Sequence, residues 1–192
     1  VMDFLGQTGL DAIKGADILN VAPERYSSTV EYSDNAISRN LRSISQIHTA
    51  DLGTRVFYCD LGSFDTHADQ LVTHQSLWAS ASIAIQDFFD DLEEHDSADN
   101  VTMFLFSEFG RRGYDNGAGT DHGAGGVCLV IGKNVRGGEY GQYHSMKEPD
   151  LDQGDLVPNI DFRGVYTTLI EDWMKLDPIP VVGGHFEKPR FV

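Results

Sequence analysis

A chain of 192 residues, 41% hydrophobic and 23% charged, is long enough to bury a sizeable core. Its 30 acidic residues face 14 basic ones, and the formal net charge of −16 argues against a nucleic-acid partner, whose phosphates need a clustered Lys/Arg surface. The charge reads instead as solubility or a saline habitat, and no apolar run approaches the ~18 residues of a membrane helix.

In chain order, residues 1–20 show a partly helical apolar spacing broken by Gly6, Gly9 and Gly15. They carry no basic-then-apolar leader and read as the interior of a domain, as in a fragment or processed chain. Residues 21–33 read as loop. From Asp34, a plausible N-cap, Ile37, Leu41, Ile44 and Ile47 recur at helical steps to about His48. Residues 54–59, Thr-Arg-Val-Phe-Tyr-Cys, are rich in β-branched and aromatic types and predict a strand. A long helix follows from about Asp69 to His95, with Leu71, Leu77, Trp78, Ile85, Phe88, Phe89 and Leu92 inward. Residues 101–106 predict a second buried strand, so that 54–106 forms a right-handed β-α-β unit with parallel strands. Residues 113–126, with six glycines, read as a ligand-shaped loop, and 127–131 as a third buried strand. Gly137-Gly138 with Tyr140 suggests a turn or small hairpin, and residues 144–160 are irregular. Asp161 caps a last helix carrying Val165, Tyr166, Leu169 and Trp173. Cys59 and Cys128, both in strand-like runs, read as buried reduced thiols ahead of a disulfide. One domain over residues 1–192 is the simple reading.

Three short segments concentrate the chemistry: Phe64-Asp65-Thr66-His67, Ser107-Glu108-Phe109-Gly110-Arg111-Arg112 and Thr120-Asp121-His122-Gly123. Asp65 and His67, two apart, leave one face of an extended segment together, and a carboxylate with an imidazole suits a divalent ion such as Zn²⁺ or Mn²⁺. The competing reading is a helix start capped by Asp65 or Thr66. Glu108, at the end of an apolar strand, is a metal ligand or a general base, or else pairs with Arg111 or Arg112. The arginines suit a phosphate or sulfate oxygen. Asp121 and His122 would diverge on a regular strand but can converge within a glycine-rich loop. No G-x-S-x-G elbow, phosphate-loop signature or dinucleotide fingerprint is present.

These motifs, with Asp161-Phe162-Arg163-Gly164-Val165-Tyr166 and in this order, resemble the bacterial family named domain of unknown function 1501, from about residue 30 onward. That family looks like a branch of the alkaline phosphatase and sulfatase superfamily. The resemblance implies a three-layer α/β/α sandwich with a mostly parallel sheet, of which this chain corresponds to the C-terminal half. It implies a metal-dependent hydrolase of small anionic phosphate or sulfate esters, in a periplasmic or extracellular setting. Asp65, His67, Asp121 and His122 would bind the metal (Zn, Mn or Ca), with Glu108 and Arg111 in catalytic roles. Phe109 departs from the superfamily's Asp-His pattern, and the usual early nucleophile has no counterpart in these motifs. The alternative is a non-catalytic binding or scaffold protein.

Overall fold

The structure is a computed structural model that describes residues 22–192 together with Gln7, Gly15, Ala16 and Asn20. The helix expected over residues 1–20 lies outside the described residues apart from those isolated positions. The chain folds as two compact units, Val1–Asp65 with Val72–Ala98, and Thr66–Leu71 with Asp99–Val192.

The first unit is helical. Helix α1 (Ala36–Thr49) is capped by Asn35, one residue later than expected, whose side chain accepts a hydrogen bond from the Ser38 amide at 2.9 Å. Its buried face is Ile37, Ser38, Leu41 and Ser45; Ile44 and Ile47, expected on that face, are only half-buried. Helix α2 (Gln70–Glu94) lies in this unit except for its first two residues and buries Ala81, Ala84, Phe88, Asp91 and Leu92. Leu71 does not join that face; it is 85% exposed. The segment before α1 is irregular, as expected, and is tied to the end of α2. The hydroxyls of Tyr26 and Tyr32 each donate to Asp91 Oδ2 at 2.7 Å, and Glu94 accepts from the amide and hydroxyl of Thr29 and from the Ser28 hydroxyl. Both helices leave through an aspartate in the left-handed region, Asp51 at φ 49° and Asp96 at φ 52°.

The second unit holds the strands. β1 (Met103–Leu105) pairs antiparallel with β4 (Leu129–Ile131), matching Met103 to Ile131 and Leu105 to Leu129. β2 (Gly110–Asp115) and β3 (Thr120–Gly123) form a hairpin, with Arg111 opposite His122 and an irregularity before Asp115 meets Thr120. The glycine-rich stretch expected as a loop is therefore mostly this hairpin. Gly110 is required because a Cβ there would run into the Gly125 backbone. Helix α3 (Phe162–Thr167) is capped by Asp161 as expected, the carboxylate accepting from the Arg163 amide at 2.9 Å. It continues as a π-helix, Thr168–Trp173, and a short helix α4 (Ile179–Val182) ends at Gly183.

Several sequence expectations are overturned. Residues 54–59 form no strand, and Val56 and Tyr58 stand 70% and 78% exposed. Their β-branched and aromatic composition favours an extended chain, but no ladder partner engages them among the described residues. Without that strand the β-α-β unit and its parallel pairing do not form, and β1 turns to β4 instead. Among the described residues the sheets are two antiparallel pairs, so the three-layer α/β/α sandwich with a mostly parallel sheet, alkaline phosphatase-like, is not the architecture. The third strand is not buried either: Val127 is 78% and Leu129 42% exposed. Both cysteines are free thiols, but neither is buried, Cys59 being half-buried and Cys128 exposed.

The C-terminal tail lies directly on α3. The Thr168 hydroxyl donates to the Pro189 carbonyl at 3.0 Å, and a Cβ on Gly164 would collide with the Glu187 carbonyl. Gly164→Ala is therefore expected to destabilise the protein by about 1–3 kcal/mol, the usual cost of forcing an extra methyl into a filled contact. A urea midpoint equal to that of the wild type would show that the tail yields instead.

Candidate metal centre

The hairpin and the turn before α2 meet at His67. The two Nε2 atoms of His67 and His122 lie 3.2 Å apart, with ring centroids at 4.7 Å. Ligands about 2.0–2.1 Å from a tetrahedral Zn²⁺ lie roughly 3.3 Å from one another, so this pair already has the spacing of two ligands on one ion. On the other side of the same ring, Asp121 Oδ1 is 3.4 Å from His67 Nδ1. Adjacent residues of β3 thus address opposite nitrogens of one imidazole. Asp65, bonded to Thr66 at the start of this turn, brings a carboxylate oxygen within 4.8 Å of the ligand atoms of both histidines.

Asn116 organises this arrangement. Its side-chain N–H groups donate to the His67 carbonyl at 3.2 Å and to Asp121 Oδ1 at 3.0 Å, while its Oδ1 accepts from the amides of Ala118 and Gly119. The Asn116 amide, and after it His67, holds the Asp121 carboxyl below the usual carboxylate range. A carboxylate bonded to the second nitrogen of a ligating histidine fixes the ring's tautomer and orientation. Gln70 adds a further tie across this turn, accepting from the Thr120 hydroxyl at 3.0 Å and donating its backbone amide to the Ala118 carbonyl at 3.3 Å.

Arg111 braces the same two segments from beneath. Its guanidinium donates to the Thr120 carbonyl at 2.6 Å and to the hydroxyl of the buried Thr66 at 3.3 Å. Phe109 lies flat against His122, with centroids 3.8 Å apart and planes 12° from parallel, and the Arg111 guanidinium is 5.1 Å from the Phe109 ring centre. Arg112 turns away to Asp155 and the Gln153 carbonyl. Glu108 is exposed, with the Ser107 hydroxyl 3.5 Å from its carboxylate, and it is not one of the three groups that converge. Of the six residues picked out in the sequence, the structure gathers Asp65, His67 and His122 as converging donors. It sets Asp121 behind His67, and Arg111 between β3 and the turn at Thr66.

The donor set fits a divalent cation. Two imidazoles and a carboxylate are the borderline-to-hard mixture that Zn²⁺ and Mn²⁺ accept, and three protein ligands leave a position open. Thr66, Gln70 and Asn116 were not anticipated. Asn116 had a signal in the Asp115-Asn116-Gly117 turn, since asparagine in such turns caps its own loop through side-chain hydrogen bonds. Thr66 and Gln70 had none beyond their proximity to His67.

No curated protein and no solved structure matches the chain. The family model described as protein of unknown function (DUF1501) matches residues 22–177, more than half of the chain, and the protein belongs to that family.

Proposed function

We propose that the chain binds a divalent metal ion through His67, His122 and Asp65, with Asp121 and Asn116 orienting His67, and that it acts as a metal-dependent hydrolase of phosphate or sulfate esters. The observation that carries the metal reading is the 3.2 Å approach of two histidine Nε2 atoms, one of them backed by a carboxylate on its other nitrogen. The ester chemistry is supported by the likeness of the chain's family to the alkaline phosphatase and sulfatase superfamily, and by nothing in the antiparallel sheets. When bound, a divalent ion supplies Lewis-acid polarisation of an ester oxygen. The chain's own residues hold His67 in one tautomer, keep His122 seated against Phe109, and keep the hairpin against the turn at Thr66 through Arg111. By the same resemblance, the chain corresponds to the C-terminal part of such an enzyme, with the nucleophile outside these motifs.

A second reading is a non-catalytic binding or scaffold protein. It is favoured by Arg111, whose guanidinium donates to Thr120 and Thr66 rather than standing open to a substrate oxygen. Metal analysis of the purified chain, combined with assays on an aryl phosphate and an aryl sulfate, separates the two. About one retained ion per chain with metal-dependent turnover is expected. A retained ion without turnover on either ester would favour the binding protein, and a chain that retains no ion would remove the basis of both metal roles.

A further inference from the structure

The cations of this acidic protein are not evenly spread. Arg136, Lys175, Lys188 and Arg190, with Asp172 and Val192, line one open cavity of about 490 Å³. All six residues belong to the second unit. The walls are fixed by their own contacts. The Arg136 amide donates to the Phe191 carbonyl at 2.7 Å, and the Tyr140 hydroxyl donates to the Arg136 carbonyl at 2.9 Å. Phe191 is buried at 3% exposure and meets Tyr140 edge-on, with centroids 5.9 Å apart. Lys175 stands at the exit of the π-helix with φ 59°, its ammonium donating to the Asp172 carbonyl at 2.6 Å.

The charges do not cancel. Lys188 is answered by Asp172 at 2.8 Å and Glu171 at 2.9 Å. The guanidinium groups of Arg136 and Arg190 form no ion pair among the described residues, and Lys175 bonds only to a neutral carbonyl. Two guanidinium groups and one ammonium therefore line the cavity without a carboxylate partner among the described residues, in a molecule whose net charge is strongly negative. Such a grouping draws anions, and guanidinium forks match the paired oxygens of phosphate and sulfate with two parallel hydrogen bonds. The volume lies in the range of small-molecule sites.

We infer that this cavity is an anion-binding site for a small ligand carrying more than one phosphate or sulfate group, gripped by Arg136 and Arg190 with Lys175 beside them. The site is separate from the His67–His122 pair and does not depend on the metal reading.

Calorimetric titration of the full chain with inorganic pyrophosphate, after treatment with a chelator and at low ionic strength, tests the inference; disodium sulfate serves as a second probe to rank phosphate against sulfate. Saturable pyrophosphate binding is expected, weakened about tenfold by Arg136→Gln and by Arg190→Gln. Lys133→Gln, a cation outside the cavity, and His122→Ala, at the metal centre, are expected to bind as the wild type does. Absence of saturable binding in the wild type overturns the inference. So does equal affinity in the Arg136→Gln/Arg190→Gln double variant, which would mark the binding as diffuse attraction. Dependence of pyrophosphate binding on His122 would assign the ligand to the other site and overturn it as well.

Discussion

His122→Ala is expected to lower affinity for a divalent ion by on the order of 100-fold or more, because it removes one of the three donors that converge among the described residues. Loss of an outer residue alone typically costs 10–100-fold. Asp121→Ala belongs to that outer class. It leaves all three donors in place but removes the acceptor on His67 Nδ1, so a loss of about 10–100-fold is expected. Asp121→Asn keeps an oxygen at the same position and should fall between that variant and the wild type. Competition against a chromophoric zinc chelator reads all three. His185→Ala, an exposed imidazole outside the group, serves as the control. If His122→Ala held the ion as tightly as the control, the paired histidines would be a chance contact between exposed rings. If Asp121→Ala matched His122→Ala, Asp121 would be a donor in its own right.

The second large effect is expected at Asp91, where a charge sits with no exposure at all. Two tyrosine hydroxyls donate to the same oxygen, and His95 Nδ1 stands 3.3 Å from the other. Asp91→Ala strands two donors at once. At about 1–3 kcal/mol for each unsatisfied group, the loss should be roughly 2–6 kcal/mol, a large share of the 5–15 kcal/mol typical of a whole domain. Should that variant fail to fold, Tyr32→Phe offers a milder measure, about 1.5–3 kcal/mol for one hydrogen bond to a charged group. Because Tyr26 and Tyr32 share an oxygen, the double Phe variant should depart from additivity. Additive losses in urea denaturation would mean that the two hydroxyls act independently of the shared carboxylate.

The same group sets an acid limit. Burial alone would raise the Asp91 carboxyl, but the hydroxyls around it, Tyr26 and Tyr32 among them, outweigh burial and hold it below its ordinary value. A carboxyl depressed in the folded state stabilises above its unfolded pKa of ~3.9 and loses that contribution as pH falls through the folded value. The difference between wild type and Asp91→Ala should therefore be flat from about pH 5 to 8 and shrink only below about pH 4. A difference that shrank already near neutrality would overturn this assignment to the Asp91 carboxyl.

How much of this was legible in the chain depended on the range of the interactions. The caps at Asn35 and Asp161 and the course of α1 and α2 follow from residues within one turn of each other, and the spacing showed them to within a residue. The run 54–59 has the same local credentials for a strand, but strandhood is settled by a partner, and nothing in those six residues names one. The hairpin was hidden for the opposite reason. Gly110, Gly123 and Gly125 look like loop residues, yet they are there because two backbones pass too closely for a Cβ. The residue types of the metal centre could be read, since Asp, His and Glu beside apolar runs are unusual. Their roles could not be: strand alternation sends Asp121 and His122 apart, and only the position of the His67 ring between them makes that divergence useful. The surplus of cations at the tail could not be read at all, because Arg136 and Arg190 are more than fifty residues apart.

The aspartates that end α1 and α2 hold back the stability of the chain. Asp51 and Asp96 adopt a left-handed backbone that costs an ordinary L-residue roughly 1–2 kcal/mol, aspartate less than most. Each also places a negative charge at the negative end of a helix dipole, a further cost of about 0.3–1 kcal/mol. A glycine would escape both. Natural proteins are rarely at their stability optimum, and these two helix exits are among the places where this chain falls short of its own. Its heat tolerance can thus be raised at these two positions while Asp65, His67 and His122 stay untouched.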